Sequence, residues 1–300
     1  MKVAAFSYVR NGVYYDYPFA ESIKSILPVV DEFIMVVGDS KDGSRELVEQ
    51  INDPKIKIVD SVWDPKMRSG GHIFAQQANI GLDHVSKDAD WIFHIQADEL
   101  IHEKDLPAIR TLMEQELPNK NVEGFLFPFI HFFGDYLHYA PSRRFHQREI
   151  RIIRNHPSIR SFRDSQGFRV FNNPDRPLDE KGRKLRVKLI EPAVYHYSYV
   201  KSPEKQLQKQ IEFGKRWHDS DEWIKASLGN KSSFDYTKID FLYPFKGTHP
   251  ALMKERIAQQ DWTFDYNPAL NNMKLKEKLL KFVQETTGKQ LFISKNYTII

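Results

Sequence analysis

Short apolar runs alternate with segments of helical spacing over the first hundred residues of this 300-residue chain. Four of the runs have the length of buried strands, at residues 3–8, 32–37, 56–59 and 91–95. The segments between them place apolar residues at helical spacing, at residues 19–27, 44–51 and 73–85. Because consecutive parallel strands need a crossover connection, this alternation predicts an α/β fold in which a parallel sheet is flanked by helices.

The pattern changes near Glu123, beyond which strands and long loops are predicted. This part favours antiparallel additions to the same sheet. Ser202 then has the character of an N-cap and is followed by a proline in the first turn of a helix. We therefore predict a Rossmann-like, mostly parallel sheet domain at residues 1–200, with residues 201–300 as a helical C-terminal appendage packed on it.

The composition narrows the class of protein. With 41% hydrophobic residues the chain has enough apolar side chains for a full core. It has no cysteine, so a metal ion would need carboxylate, imidazole or water ligands, and a reducing compartment is favoured. No apolar run has the length of a signal peptide or a membrane span, which predicts a cytoplasmic location. The net charge of +4 is too small to require nucleic acid as a partner, and it is compatible with an anionic ligand or a lipid surface.

Residues 91–100, Trp-Ile-Phe-His-Ile-Gln-Ala-Asp-Glu-Leu, form an apolar run that ends in two adjacent carboxylates. Ligands of open α/β sheets bind at the carboxyl ends of the strands, where Asp98 and Glu99 would lie. Oxygen ligands of this kind suit Mg²⁺ or Mn²⁺, which keep open positions for phosphate oxygens. The same residues would also suit the start of a helix, with Asp98 as the cap and Glu99 facing the helix dipole.

A second group of acids follows the second predicted strand, in the loop Val-Gly-Asp-Ser-Lys-Asp-Gly-Ser at residues 37–44. Asp42 or Ser44 is expected to cap the following helix. Asp39 comes directly after the strand, so it would lie in the same layer as Asp98. Acids at this point bind a ribose hydroxyl in doubly wound sheets, and Asp39 could bind such a hydroxyl or a base edge.

The order of these segments resembles that of the family 2 glycosyltransferases, which have the GT-A fold. Asn11 after the first strand resembles an early asparagine of the family, and residues 37–44 resemble its Asp-rich loop. Residues 77–79, Gln-Ala-Asn, resemble the polar step in the family's third helix, and residues 96–99, Gln-Ala-Asp-Glu, resemble its Asp-X-Asp motif. The similarity is dense over the first third of the chain and thin in the middle. It is strongest to bacterial enzymes that build lipopolysaccharide or capsule.

The resemblance implies a nucleotide-diphosphate sugar as donor, with a UDP-sugar favoured, and Mn²⁺ or Mg²⁺ as cofactor. The residues that it implies in donor binding are Asn11, Asp39, Asp42, Gln77 and Gln96. Asp98 would contact the metal ion directly, as the last acid of the motif does in the family. Gln96 stands where the family has its first Asp, so it would hydrogen-bond to ribose or water instead. Glu99 is an alternative source of the missing charge, although its side chain would point to the opposite face of a continued strand.

Two later segments carry further candidates. His196 lies in an alternating strand pattern, and a histidine in this region commonly completes the metal shell of GT-A enzymes, so the resemblance implies a second metal ligand here. Taken alone, His196 more often indicates a packed core histidine. Arginines are concentrated between residues 143 and 169, where Arg151 and Arg154 are candidates for contact with the diphosphate. The alternative for this arginine-rich segment is a solvated strand face.

An inverting transfer needs a carboxylate that removes a proton from the acceptor hydroxyl. Asp164 lies in a polar loop, Phe-Arg-Asp-Ser-Gln-Gly at residues 162–167, roughly where the family places its base. Glu149 and Asp135 are alternatives. Asp164 would equally suit a turn without any catalytic role.

These expectations combine into a metal-dependent glycosyltransferase of hexosyltransferase type, which moves a sugar with inversion to a hydroxyl of a polysaccharide or glycolipid. The enzyme would be cytoplasmic, with peripheral association at the inner membrane surface. A non-catalytic sugar- or nucleotide-binding protein on the same scaffold is the main alternative, because Gln96 would then mark a decayed site. RNA binding through the arginine-rich segment is disfavoured by the modest net charge, and a nucleotidyltransferase by the lack of a Gly-rich triphosphate loop.

Overall fold

The structure is a computed structural model that describes residues 1–68, 70–165, 167–173, 180–218, 220–267, 272–287, 291–292 and 295–300. Its strands are β1 Val3–Val9, β2 Glu32–Val37, β3 Ile56–Asp60, β4 Trp91–His94, β5 Glu99–Ile101, β6 Gly124–Phe133, β7 His138–Tyr139, β8 Arg148–Arg154, β9 Ile159–Ser161, β10 Phe168–Val170, β11 Arg183–Leu189, β12 Val194–Tyr199, β13 Tyr243–Pro244 and β14 Tyr297–Ile299. Its α-helices are α1 Phe19–Ile26, α2 Ser44–Glu49, α3 His72–His84, α4 Leu106–Glu116, α5 Pro203–Trp217, α6 Glu222–Ser227, α7 Lys254–Ala258 and α8 Leu275–Thr287.

The first four strands form a parallel half of the sheet, in the order β3-β2-β1-β4. Strands β2 and β4 flank β1, and both run parallel to it. Every residue of β2 and β4 is buried, as expected for apolar strands that are covered on both faces. Since the strands run in the same direction, the loops that follow them open at one edge of the sheet.

The later strands extend this sheet with mixed pairings. Strand β8 lies between β4 and β6 and is antiparallel to both. Strand β6 also pairs in parallel with β12, and β12 pairs antiparallel with β5, where His196 stands opposite Glu99. The predicted α/β fold, a parallel sheet flanked by helices with antiparallel additions, is confirmed. The pairing of β12 with β5 joins the middle of the chain to the segment that follows β4.

Apolar side chains fill both faces of the sheet. On one face, β1, β2 and β4 pack against α1, α2 and α4 in a core that includes Phe19, Phe93 and Met113. On the other face, alternate residues of the same strands pack against α3, with Phe6 and Ala78 among them. Close packing on both sides holds the strand ends in defined positions. A cavity lies at the ends of β1 and β4.

The last third of the chain packs on the sheet through a helix and a series of aromatic side chains. Ser202 caps α5, because its hydroxyl accepts a hydrogen bond from the backbone N–H of Lys205 (3.3 Å). Phe245 and His249 pack on Phe132 of β6, with ring centroids 4.9 and 4.6 Å away. Within the described ranges, none of the helices combines the length and the apolarity needed to cross a membrane.

Candidate active site

A cavity of about 610 Å³ lies at the sheet edge where β1 and β4 end. The end of β1 and the Gln96–Asp98 segment form part of its wall, and α5 contributes another part. Strands β6, β8 and β12 complete it with His131, Glu149, Arg151, His196 and Ser198. Polar side chains from distant parts of the chain therefore converge on one concave site, which is the usual form of a ligand pocket.

Asp98 and His196 face each other in this cavity. Oδ2 of Asp98 lies 3.7 Å from Nε2 of His196, and the two side chains are 13% and 9% exposed. The backbone holds the two segments together, since the N–H of Tyr197 donates to the carbonyl of Asp98 (2.8 Å). Burial lowers the pKa of His196 well below its ordinary value, so the ring is neutral and offers a lone pair.

Two lysines lie near the same carboxylate. Nζ of Lys209, on α5, is 3.5 Å from Oδ2 of Asp98, and it donates to the carbonyl (3.0 Å) and the hydroxyl of Ser198. Burial would raise the pKa of Asp98, but the neighbouring His196, Lys209 and Lys201 and a hydrogen bond from Ser198 outweigh it and hold the pKa well below its usual range. Asp98 is therefore the ionised group around which this part of the cavity is arranged.

The pair Asp98 and His196 fits a divalent cation. A carboxylate oxygen and an unprotonated imidazole nitrogen are acceptable ligands for Mn²⁺, and the carboxylate also suits Mg²⁺. Among the residues that the structure describes, no group of three or more His, Asp or Glu side chains could hold an ion on its own. An ion at this pair would take its other ligands from water and from substrate phosphates. The negative charge of the phosphates would also offset the positive charge of Lys209.

Asp39 lies at the neighbouring end of β2, beside the cavity wall. Its carboxylate accepts hydrogen bonds from Nε of Arg10 (2.8 Å) and from the backbone N–H of Trp63 (3.2 Å). Both partners line the cavity, and the Arg10 guanidinium lies 5.9 Å from the centre of the Trp63 ring. A Cβ on Gly38 would meet Nε1 of Trp63 at 2.7 Å, so the glycine allows the indole to approach β2. Asp39 thus orients a cation and an aromatic ring, a combination suited to stacking on a base.

Two other predicted donor-binding residues lie outside the cavity wall. Asn11 follows β1 in a left-handed conformation (φ 52°), and its backbone N–H donates to the hydroxyl of Ser40 (2.9 Å). Asp42 accepts hydrogen bonds from the backbone N–H groups of Tyr14 (2.7 Å) and Ser44 (3.1 Å). Asp42 therefore ties the loop after β1 to the start of α2.

The two predicted glutamines are placed differently from each other. Gln96 lines the cavity, and its backbone N–H donates to Oε2 of Glu99 (3.1 Å). Gln77 is buried in α3, where its side-chain oxygen accepts a hydrogen bond from Ser61 (2.6 Å). Only Gln96 of this pair is therefore in a position to touch a ligand in the cavity.

Glu99 is matched by Arg151 in a buried ion pair. Nε and Nη2 of Arg151 donate to the two carboxylate oxygens at 2.7 and 2.6 Å, and the two residues are 1% and 0% exposed. Arg151 lines the cavity, yet its charge is already balanced. Arg154, the other arginine candidate, lies at the far end of β8 and donates to the carbonyl of Val122 (2.7 Å).

Glu149 and Asp164 both line the cavity. Burial raises the pKa of Glu149 to about 8; Arg151 opposes the rise, and the carboxylates of Glu99 and Asp164 add to it. Asp135, the third candidate base, is not part of the cavity wall. It accepts hydrogen bonds from two backbone N–H groups of the turn that follows it (both 2.9 Å).

The raised pKa of Glu149 predicts a pH-dependent stability. Between the ordinary value of 4.5 and about 8, the folded protein binds one proton more than the unfolded chain. Stability from this group is therefore complete below the unfolded pKa and is lost as the pH rises through about 8, with a slope of up to about 1.4 kcal/mol per pH unit. Urea unfolding across this range measures the slope. We expect Glu149→Gln to abolish this part of it, and equal slopes in variant and wild type would contradict the shift.

Sequence reasoning missed the groups that surround Asp98 and His196. His131 had a signal, because it is a single polar residue inside the apolar run of β6. Lys209 and Lys201 had none, since their approach to Asp98 depends on how α5 and β12 pack on the sheet.

No protein-family profile matches the sequence, and no curated protein matches it. Solved structures do match. A crystal structure of S. aureus TarS is similar over 71% of this chain and 39% of its own, at 12% identity and a TM-score of 0.41. TarS 1-349 in complex with UDP-GlcNAc is similar over 71% of this chain and 65% of its own, at 13% identity and a TM-score of 0.38. Glucosyl-3-phosphoglycerate synthase from Mycobacterium tuberculosis, in complex with Mn²⁺, uridine diphosphate and phosphoglyceric acid, is similar over 43% of both chains, at 17% identity and a TM-score of 0.30.

The chain spans only 39% to 65% of the length of these matched proteins. At TM-scores of 0.30 to 0.41 these partial overlaps assign neither a family nor an activity to this chain. An activity for this chain has to follow from the side chains of its own cavity.

Proposed function

We propose that this protein is a metal-dependent glycosyltransferase, which moves a sugar from a nucleotide-diphosphate donor to a hydroxyl group. The observation that carries the proposal is the approach of Asp98 to His196, 3.7 Å apart, in a cavity at the carboxyl edge of the parallel strands. They supply one ionised carboxylate and one neutral imidazole, which suit a divalent ion bound to a diphosphate. The resemblance of the surrounding motifs to family 2 glycosyltransferases supports the same activity.

The remaining cavity residues take roles that follow from their charge. A bound ion would stabilise the negative charge of the leaving diphosphate. Lys209 adds a second positive charge beside it, and Gln96 binds ribose or water. Asp39 acts on the nucleoside through Arg10 and Trp63, which it orients. A UDP-sugar is the favoured donor, as the family resemblance implies.

We assign removal of the acceptor proton to Asp164, in a transfer with inversion. Asp164 lines the cavity and lies next to Gly71 at the start of α3. Its neighbour Glu149, with a pKa of about 8, is protonated at neutral pH. Glu149 therefore suits donation of a hydrogen bond, whereas the role of base needs an ionised carboxylate.

Asp164→Asn is expected to lower transfer by about 100-fold or more, because a positioned base contributes at least that factor. Donor binding should stay unchanged, since the substitution preserves shape and lies outside the metal pair. Steady-state transfer rates and nucleotide affinity check this, with Asp135→Asn as the control at a carboxylate outside the cavity wall. If Glu149→Gln loses transfer and Asp164→Asn transfers normally, Glu149 is the base and the assignment to Asp164 is wrong.

The acceptor in this proposal is a glycan or glycolipid, reached by peripheral association with the cytoplasmic membrane surface. Exposed residues of α8 support this, since Leu275, Leu279 and Phe282 are 85%, 62% and 63% exposed and recur at helical spacing. Residues 274–287 carry four lysines against two glutamates. An apolar stripe with a surplus of lysines suits anionic lipid head groups.

A thermal-unfolding screen with uridine, guanosine and cytidine diphosphates, each with and without Mn²⁺, tests the function. We expect one diphosphate to raise the Tm only when Mn²⁺ is present, because a ligand of the folded state stabilises it. The corresponding nucleotide-sugar should then be consumed, and EDTA should stop its turnover. Binding without any turnover would favour the non-catalytic protein. Turnover in EDTA that is lost in Lys209→Met would assign charge neutralisation to the lysine instead of a metal ion.

A further inference from the structure

We propose that His131 is a positioning residue for the metal pair, which fixes His196 in the tautomer whose Nε2 lone pair faces Asp98. This inference rests on the metal-dependent function proposed above. His131 belongs to β6, and the parallel register of β6 with β12 sets it directly beside His196. The two rings lie 4.7 Å apart between centroids, at 81° to each other.

A backbone carbonyl sets the direction of donation along a chain of two hydrogen bonds. Nε2 of His131 lies 2.5 Å from the carbonyl oxygen of His146, and Nδ1 of His131 lies 2.9 Å from Nδ1 of His196. A carbonyl oxygen only accepts hydrogen bonds, so Nε2 of His131 carries the hydrogen. Nδ1 of a neutral His131 is then bare and accepts the hydrogen on Nδ1 of His196. A neutral His196 has no second N–H, so its Nε2 is left with a lone pair on the side of Asp98.

The opposite arrangement does not fit the distances. If Nδ1 of His131 also carried a hydrogen, Nδ1 of His196 would accept it, and Nε2 of His196 would carry a hydrogen toward Asp98. The 3.7 Å between Nε2 and Oδ2 of Asp98 is too long for that hydrogen bond. His131 would in addition be a cation at a position where 4% of its surface is exposed, which is unfavourable. Two acceptors therefore face each other, and a cation between them satisfies both.

Aromatic packing holds the His131 ring in this orientation. Phe129 and Phe145 stack on it with centroid distances of 5.4 and 5.2 Å and interplanar angles of 26° and 27°. Histidine ligands usually donate their second nitrogen to a carboxylate, a carbonyl or water, and such partners strengthen metal binding. Here His131 is the acceptor for Nδ1 of His196, and His131 itself donates to the carbonyl of His146.

Two substitutions of His131 distinguish the role of its hydrogen-bond acceptor, Nδ1, from the role of its aromatic ring. His131→Phe keeps a ring and removes the acceptor, whereas His131→Asn retains an oxygen close to the position of Nδ1. We expect His131→Phe to weaken Mn²⁺ binding about 10- to 100-fold, and His131→Asn to restore most of that loss. Electron paramagnetic resonance of free Mn²⁺, with and without uridine diphosphate, measures the affinity. His84→Asn, at an exposed histidine of α3, is the control and should bind as the wild type does.

Nitrogen-15 NMR of the metal-free protein gives a readout that needs neither metal nor turnover. The expected result is a protonated Nδ1 and a bare Nε2 on His196 in the wild type, and a mixture of tautomers in His131→Phe, with His196→Asn identifying the signals. Unchanged Mn²⁺ affinity and an unchanged tautomer in His131→Phe would overturn the role of His131 and leave the proposed function in place. A wild-type protein that binds no Mn²⁺, alone or with any of the three nucleoside diphosphates, would overturn both.

Discussion

Asp98→Asn is expected to lower nucleotide-sugar turnover by at least about 1,000-fold while the protein stays folded. The substitution keeps the size of the side chain and removes the charge that holds the ion and balances Lys209. Stabilisation of the leaving group by a bound metal is worth several kcal/mol, and about 4 kcal/mol corresponds to about 1,000-fold in rate. Measurements of kcat/KM at saturating Mn²⁺, together with Mn²⁺ affinity, check this result.

The matched control is Asp88→Asn, at a carboxylate that is 73% exposed and pairs with Lys2 on the surface (2.6 Å). Asp98→Glu is a second variant, which keeps the charge but displaces it by one methylene. It should retain part of the Mn²⁺ binding and lose most of the turnover, because the ion would no longer lie where the diphosphate needs it. Wild-type turnover in a folded Asp98→Asn variant would refute the role assigned to Asp98.

Glu99→Leu is expected to destabilise the protein by about 3–5 kcal/mol, because it leaves the guanidinium of Arg151 buried without its counter-charge. The double variant Glu99→Leu, Arg151→Met should recover most of this loss, since apolar side chains of similar volume carry no desolvation penalty. Urea unfolding of wild type, single and double variants measures the free energies of unfolding.

Asp83→Leu serves as the comparison at a surface ion pair, in which Asp83 is 56% exposed and pairs with Arg160 (2.6 Å). Its cost should stay at or below about 1 kcal/mol. If Glu99→Leu lowers the free energy of unfolding no more than Asp83→Leu does, the buried ion pair of Glu99 and Arg151 does not contribute the stability assigned to it. Turnover by the double variant also tests the predicted contact of Arg151 with the diphosphate, because that contact would be lost along with the ion pair.

Predictions from the sequence located the strand ends well and the side-chain partners poorly. Gln96 and Asp98 follow β4, so the order of strands alone put them at the edge where the cavity lies. Asp39 was expected in the same layer and lies beside the cavity, but its ion pair with Arg10 was not foreseen. Asp42 was expected both as a helix cap and as a donor contact, but the N-cap position of α2 is occupied by Gly43, and the hydrogen bonds of Asp42 tie a loop to the first residue of the helix.

The sequence by itself determined the parallel half of the sheet and the edge at which the cavity lies, because hydrophobic periodicity and crossover connections are local properties of a chain. Only the tertiary structure decided which acids face the cavity. Glu99 turns away to Arg151, whereas its neighbour Asp98 meets His196 and Lys209. These contacts join segments that are far apart in the chain, so their geometry depends on how β12 and α5 pack on the sheet, and no local pattern specifies it.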